Sequence, residues 1–284
     1  MDRGHTEDPP KFWAVAMLRT DRSKTMAPHS LLPTDHADGI LERAAAILQA
    51  FDEDHRQLTL MGLVRRSGLP RSTVHRVAGR MVDLGWLVRH DGRYHVGNDF
   101  VRLSGLTPVR RELREAVQPF MQDLYETTRL TVQLGVLEDN RILIVDTVTG
   151  HRELPMLSKV GGTIPAHCSS LGRAILAHSP STRVDDVVGD GLWSRTARTI
   201  TDPGALRQEL VTSARRGWAV DDEEGNVGIR CVGAALCSSL GEVVGALSVT
   251  GPAALVQPAR LGPVLRATAA AASRRYAKLP PRIA

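Results

Sequence analysis

Aromatic residues are scarce: Phe, Trp and Tyr together make up 4 % of the 284 residues. Any core must therefore rest on Leu, Val, Ile and Ala. Cysteine is rare as well, at positions Cys168, Cys231 and Cys237. A small odd number gives no disulfide framework and fits a reducing compartment. No stretch is long and apolar enough to cross a bilayer. The run Phe12 to Leu18 is too short, and no small-residue cleavage site follows it. Neither CxxC nor HExxH occurs, which removes the commonest zinc frameworks. Cys231 and Cys237 would lie roughly 20 Å apart on one extended strand and could not share an ion. No internal repeat or low-complexity tract is visible. These absences lead us to expect a cytoplasmic protein with no metal, no cofactor and no membrane contact.

What is present is ordinary in bulk and informative in pattern. The length suits two domains, and 42 % hydrophobic with 24 % charged residues is normal for a globular chain. The formal charge is +5, which suits a phosphate-rich partner without requiring one. Residues 1–36 show no sustained period and read as a disordered tail, with Met26 an alternative start.

From Gly39 the pattern turns helical, with Ile40, Leu41, Ala44, Ile47, Leu48 and Phe51 on one face. A second short helix runs from about Leu58 to Ser67 and is closed by Gly68. Pro70 stands where a first-turn proline is tolerated. A third helix runs to about Leu84, with Val74, Val77, Ala78 and Met81 inward. Two short alternating runs around Asp91-Gly92 then predict a β-hairpin. Helix, helix, turn, helix, hairpin is the order of a winged helix-turn-helix, assigned to residues 37–106. A linking helix is expected over 107–128, with Leu113, Val117, Phe120, Met121 and Leu124 on one side. Residues 129–284 mix strands joined by short turns with helices at Ser170 to His178, Pro203 to Arg216 and Ala253 to Lys278. The fold class is α+β: a winged helix-turn-helix, a linking helix, and a domain with a largely antiparallel sheet flanked by helices.

The outward face of the third helix carries the first candidate site. Ser72, Arg76, Gly79 and Arg80 point away from the apolar stripe, with His75 at its edge. Such donors suit base edges and phosphates in the major groove. Arg71, Ser72 and Thr73 lie in the first turn, where free backbone N–H groups favour phosphate. Gly79 costs about 1 kcal/mol of helix propensity against Ala, which suggests close approach to DNA or simple tolerance. Arg89 and Arg93 would make the hairpin a basic wing, and Arg65 and Arg66 would add phosphate contacts. Any one of these could be a solvated charge, but clustered on this pattern they point to double-stranded DNA as partner.

The segment Gly68-Leu69-Pro70-Arg71-Ser72-Thr73-Val74-His75-Arg76 resembles the recognition-helix opening of IclR-type regulators. Further blocks resemble that family's effector domain: Gly161 to His167, Leu171 to Ala177, Arg216 to Glu224, Gly228 to Cys231 and Gly241 to Pro252. Their order and spacing agree over residues 38–275. The resemblance implies a homodimer or dimer of dimers that binds operator DNA and answers to a small organic acid or related metabolite. The family contains repressors and activators, and repression is the favoured sign. By motif position it places effector contacts on Ser170, Leu171, Asp221, Ile229, Cys231, Ser248 and Thr250, with Met156 and Ile164 as apolar wall. Two positions depart from the pattern: Cys168 stands where a small residue such as Ala is expected, and Thr250 where Ser is more usual.

Strand geometry supports the same pocket. Residues two apart share a face, so Ser248 and Thr250 present two hydroxyls together while Leu247 and Val249 face the other way. Ile229 and Cys231 likewise share a face. The start of the helix at Ser170 and Leu171 would offer free N–H groups to an anion. The hydroxyls could instead be ordinary strand residues bonded to neighbours, and Asp221 could merely hold a turn. A Cys nucleophile beside His167 and a redox sensor built from Cys231 and Cys168 are the rival readings; neither is favoured, and no enzymatic role is expected.

Overall fold

The computed structural model describes residues 39–52, 55–104, 108–150 and 159–279. The expected tail 1–36, Met26 and Met156 lie outside them. The chain divides into two compact units, one ending at Gly97 and the other beginning at Asn98.

In the first unit, α1 (Ile40–Gln49), α2 (Leu60–Ser67) and α3 (Arg71–Asp83) pack around Ile47, Leu63, Val74, Val77 and Met81. A two-residue strand, β1 (Leu58–Thr59), precedes α2, and the hairpin is β2 (Leu87–His90) and β3 (Arg93–Val96). Thr59 caps α2 by accepting from Gly62 N at 3.1 Å. Gly68 closes it in the left-handed conformation, φ 70°. Pro70 is the N-cap of α3 rather than its first helical residue. Asp91 and Gly92 both have positive φ, 48° and 73°, as a two-residue hairpin turn that matches strand twist requires. β1 joins the hairpin through Leu58 opposite Tyr94, giving the order β1-β3-β2. Two residues have no readable period, so β1 was not expected from sequence.

The second unit is built on six antiparallel strands in the order β6-β5-β4-β9-β8-β7. These are β4 (Thr131–Glu138), β5 (Arg141–Val148), β6 (Thr163–Pro165), β7 (Ala219–Asp222), β8 (Ile229–Cys237) and β9 (Val243–Pro252). The helices are α4 (Asp99–Ser104), α5 (Pro108–Thr128), α6 (Ser170–Leu176), α7 (Ser181–Gly189), α8 (Pro203–Arg216) and α9 (Pro258–Tyr276). One face of the sheet is sealed by α5 and α9: Leu113, Val117, Met121, Leu265 and Ala269 pack against Val132, Leu134, Val232, Leu247 and Val249. The helix expected as a connector is therefore half of a core, because its apolar stripe has a sheet to cover. On the other face, α6 and its neighbours pack on Ile142, Ile144, Ala219 and Ala246.

β6, β7, α4 and α7 were not expected from sequence. The terminal helix starts at Pro258, not Ala253. Asp202 caps α8 through Ala205 N at 2.7 Å, and Gly217 ends it at φ 82°. Among the described residues no helix is long and apolar enough to cross a membrane.

Candidate DNA-reading face and effector cavity

On α3, Arg71, Ser72, His75, Arg76, Gly79 and Arg80 are exposed and Thr73 is half-buried, while Val74, Val77, Ala78 and Met81 are buried. Beyond its chain neighbours and the backbone of its own helix, no atom of the described residues lies within 4 Å of the point where a Gly79 Cβ would stand. Packing inside the protein therefore does not require glycine there. Arg80 has an exposed ion pair with Asp83 at 3.5 Å, a geometry of little energetic weight. Arg65, Arg89 and Arg93 are exposed. Arg89 lies opposite Tyr94 across the hairpin, its guanidinium 5.5 Å from the ring centroid, so the wing holds this cation in a set position. Arg66 is committed inward: its Nε donates to Ala50 O at 2.5 Å and its Nη2 to Asp52. It ties α2 to the end of α1.

The second candidate is a cavity of about 80 Å³ between the sheet and the start of α6. Alternation along β9 puts Ser248 and Thr250 in its wall, both 1 % exposed, and sends Leu247 and Val249 into the opposite core. Gln133 of β4 lies opposite Ser248, and Cys231 of β8 opposite Thr250. Asp221 of β7 lies opposite Cys231. Helix α6 comes down onto the sheet at Gly233, where a Cβ would be 2.5 Å from Ser170 O; only glycine allows that approach. Ser169 caps α6 by accepting from Gly172 N at 3.1 Å, and Ser170 and Leu171 follow in the wall.

The structure thus brings together Ile164, Ser170, Leu171, Asp221, Ile229, Cys231, Ser248 and Thr250 in one wall. Gln133, Thr163, Ser169, Arg195 and Asn226 join them unforeseen. Arg195 comes from the loop between α7 and α8, and nothing local in its sequence marks it. Gln133, by contrast, carries a signal: it is the polar residue between Val132 and Leu134 in an apolar strand.

Charge in the cavity wall is set by burial. One Asp221 oxygen accepts from Glu224 N at 2.8 Å and Gly225 N at 3.2 Å, so the carboxylate does hold the following turn. Burial pushes its pKa up to about 6, against the opposing backbone N–H groups and the Arg173 charge. Arg173, 1 % exposed, meets buried Glu224 at 2.5 Å. Glu224 also accepts from Ile200 N at 3.3 Å, so this buried pair pins α6 to two loops. Burial pushes the Cys168 thiol up to about 12 and the Cys231 thiol well above its ordinary value. Reactive thiols are low-pKa and accessible; these are neither, which argues against the redox and nucleophile readings. His167 is buried and faces Trp193, with Nε2 3.1 Å from its carbonyl and the rings 5.7 Å apart. Among the described residues no group of His, Cys, Asp and Glu is arranged to hold a metal.

A winged helix-turn-helix with a solvent-facing basic helix, followed by a unit with a small polar cavity, defines a DNA-binding regulator. Residues 40–91 match the IclR helix-turn-helix domain, and residues 107–274 match the bacterial transcriptional regulator IclR C-terminal domain. The transcriptional repressor IclR of Escherichia coli is 30 % identical over 217 residues, covering 75 % of this chain and 79 % of its own. The acetate operon repressor of Salmonella typhimurium is 30 % identical over 226 residues, 78 % of this chain and 82 % of its own. Among solved structures, an IclR homologue from Microbacterium hydrocarbonoxydans complexed with 4-hydroxybenzoate superposes with a TM-score of 0.76 at 29 % identity, covering 84 % of this chain and 99 % of that one. The chain belongs to the IclR family of bacterial transcriptional regulators. Its relatives are regulators, not enzymes.

Proposed function

We propose that this protein is a repressor whose hold on operator DNA is changed by a small organic acid bound in the cavity between α6 and the sheet. The carrying observation is that Ser248, Thr250 and Gln133, polar groups on strands otherwise buried in apolar cores, converge there. A volume of about 80 Å³ is well below the ~300–1,000 Å³ of sites for drug-sized ligands. The 4-hydroxybenzoate complex of the related protein supports an acid, and the small volume favours a short one. Ser170 and Leu171 offer backbone N–H groups, Ser248 and Thr250 hydroxyls, and Ile164 and Ile229 apolar wall. Arg71, Ser72, Thr73, His75, Arg76 and Arg80 face the major groove, while Arg65, Arg89 and Arg93 meet the flanking backbone. In a homodimer or dimer of dimers, the effector acts by its differential affinity for two spacings of the DNA-binding units.

The test is fluorescence anisotropy on the DNA upstream of the protein's own gene, against scrambled DNA, over a salt series and with a panel of short organic acids. Sequence-dependent binding with a steep salt slope, released by an acid, is expected. Equal weak binding to both DNAs, unmoved by any acid, would sink the reading.

A further inference from the structure

The charges of three arginines, Arg173, Arg195 and Arg141, act on His167 at the cavity, and of the three only Arg173 forms an ion pair among the described residues. Arg173 is paired with Glu224. Arg195 lines the cavity and is anchored by its Nε, which donates to Gly225 O at 3.0 Å. No carboxylate among the described residues forms an ion pair with it. Arg141, at the start of β5, stands behind the same wall. Its Nε donates to Thr163 Oγ1 at 2.9 Å and its Nη2 to Thr163 O at 3.4 Å. Its guanidinium lies 5.6 Å from the Trp193 ring centroid. Its Nη1 is buried with no hydrogen-bond partner among the described residues. An unsatisfied buried donor on a cation is costly.

The two cations also oppose each other. Burial first, and then the Arg195 charge, push the Arg141 guanidinium below its ordinary value. His167 is pushed down by burial, and the charges of Arg173, Arg195 and Arg141 add to that. Arg195 acts on Cys168 in the sense that favours an anion there, although burial dominates. Asp221, one oxygen of which accepts from the backbone N–H groups of Glu224 and Gly225, also lines the cavity and acts on Cys168 in the opposite sense to Arg195. The Asp190 charge acts on Arg141 in the opposite sense without forming an ion pair with it, and cations in a common field gain from a further anion.

We propose that Arg195, backed by Arg141, is the specificity-determining wall of the cavity and reads the negative charge of the effector. The carboxylate of the effector lies between Arg195 and the Cys168-Ser169-Ser170 segment. Its uncharged polar end faces Ser248, Thr250 and Asp221. The class this selects is a short carboxylic acid bearing a hydroxyl group, distinguished by charge from its own amide. This rests on the reading of the cavity as the effector site.

The experiment is calorimetric titration of the full chain with hydroxy acids of two to five carbons and their neutral amides, beginning with glycolate against glycolamide and lactate against lactamide. In the wild type an acid binds at least about tenfold more tightly than its amide, the size of a charge-assisted hydrogen bond. Arg195→Gln abolishes that preference by weakening the acid and leaving the amide unchanged, and Arg195→Lys restores part of it. Arg141→Gln weakens the acid by a smaller factor. Arg195 is exposed, so its variants keep the fold, which circular dichroism checks. Equal binding of acid and amide by the wild type would overturn the charge reading and leave the cavity an effector site. Equal weakening of both by Arg195→Gln would overturn it in favour of a role in shape. Binding of no acid and no amide would overturn both this inference and the effector reading beneath it.

Discussion

In the first unit the polar side chains of interest, Arg76 and Arg80 among them, stand in solvent, and the residues between them, Val77 and Ala78, fill the core. In the second unit the arrangement is inverted. Ser170, Arg173, Asp221, Glu224, Ser248 and Thr250 are all buried, and Leu247 and Val249, the apolar neighbours of Ser248 and Thr250, fill a core on the far side of the sheet. A DNA-binding face needs reach, because phosphates and base edges come to it from outside. A cavity for a small molecule needs polar groups already held in place, and that places them where each unpaired atom is expensive. The first unit should therefore lose function without losing stability when its polar residues change. The second should lose stability as well.

The strongest way to break that contrast is Glu224→Ala. It strands buried Arg173, whose Nε already lacks a partner among the described residues. Removing one member of a buried pair costs about 3–5 kcal/mol. Urea denaturation should show that loss; a change under about 1 kcal/mol would mean that the pair is solvated in solution.

Next comes Asp221→Asn, studied against pH. The folded pKa of Asp221, about 6, lies above its ordinary 3.8. The folded state therefore holds the proton more tightly. The associated stability is complete below about 3.8 and is lost as pH rises through about 6. Relative to the Asn variant, wild type should lose up to about 3 kcal/mol between acidic and neutral pH. Parallel stability curves for the two proteins would show that the carboxyl group is not desolvated.

On the first unit the expected effects are smaller and fall on binding alone. Arg76→Ala should weaken specific DNA by about 1–3 kcal/mol and random DNA by less, with an unchanged melting temperature. Equal loss on both DNAs would reduce Arg76 to a phosphate contact. Arg89→Ala should weaken all sequences alike and lower the salt slope by about one. A loss confined to one sequence would instead make the wing a reader of bases.

The two units also differ in how far their sequences could be read. The α3 stripe Val74, Val77, Ala78 and Met81 and the Asp91-Gly92 turn are local patterns, and both are found as expected. The bonds of Arg66 were not legible, because its partners, Ala50 O and Asp52, are more than a dozen residues away. In the second unit, the alternation of Leu247, Ser248, Val249 and Thr250 was legible because a strand turns its side chains over with period two. The same alternation marks Gln133, but without knowing that β4 lies beside β9 there was no reason to place it near Ser248. β6 and β7 have three and four residues, too few to show a period. The stripe on α5 was plain, but which strands it covers was not, because Val132, Leu134 and Leu247 reach it only through the strand order.

The sequence by itself determined the order of the three helices and the hairpin in the first unit, the face of α3 that meets solvent and the two hydroxyls of β9 that share a side. Each follows from contacts within one element, where the repeat of the backbone decides which way a side chain points. Only the tertiary structure decided that Arg195 lines the cavity, that Arg173 is neutralised by Glu224 fifty-one residues away, and that burial reshapes the charge of Asp221. Those depend on which distant segments are packed together and on how little water is left between them.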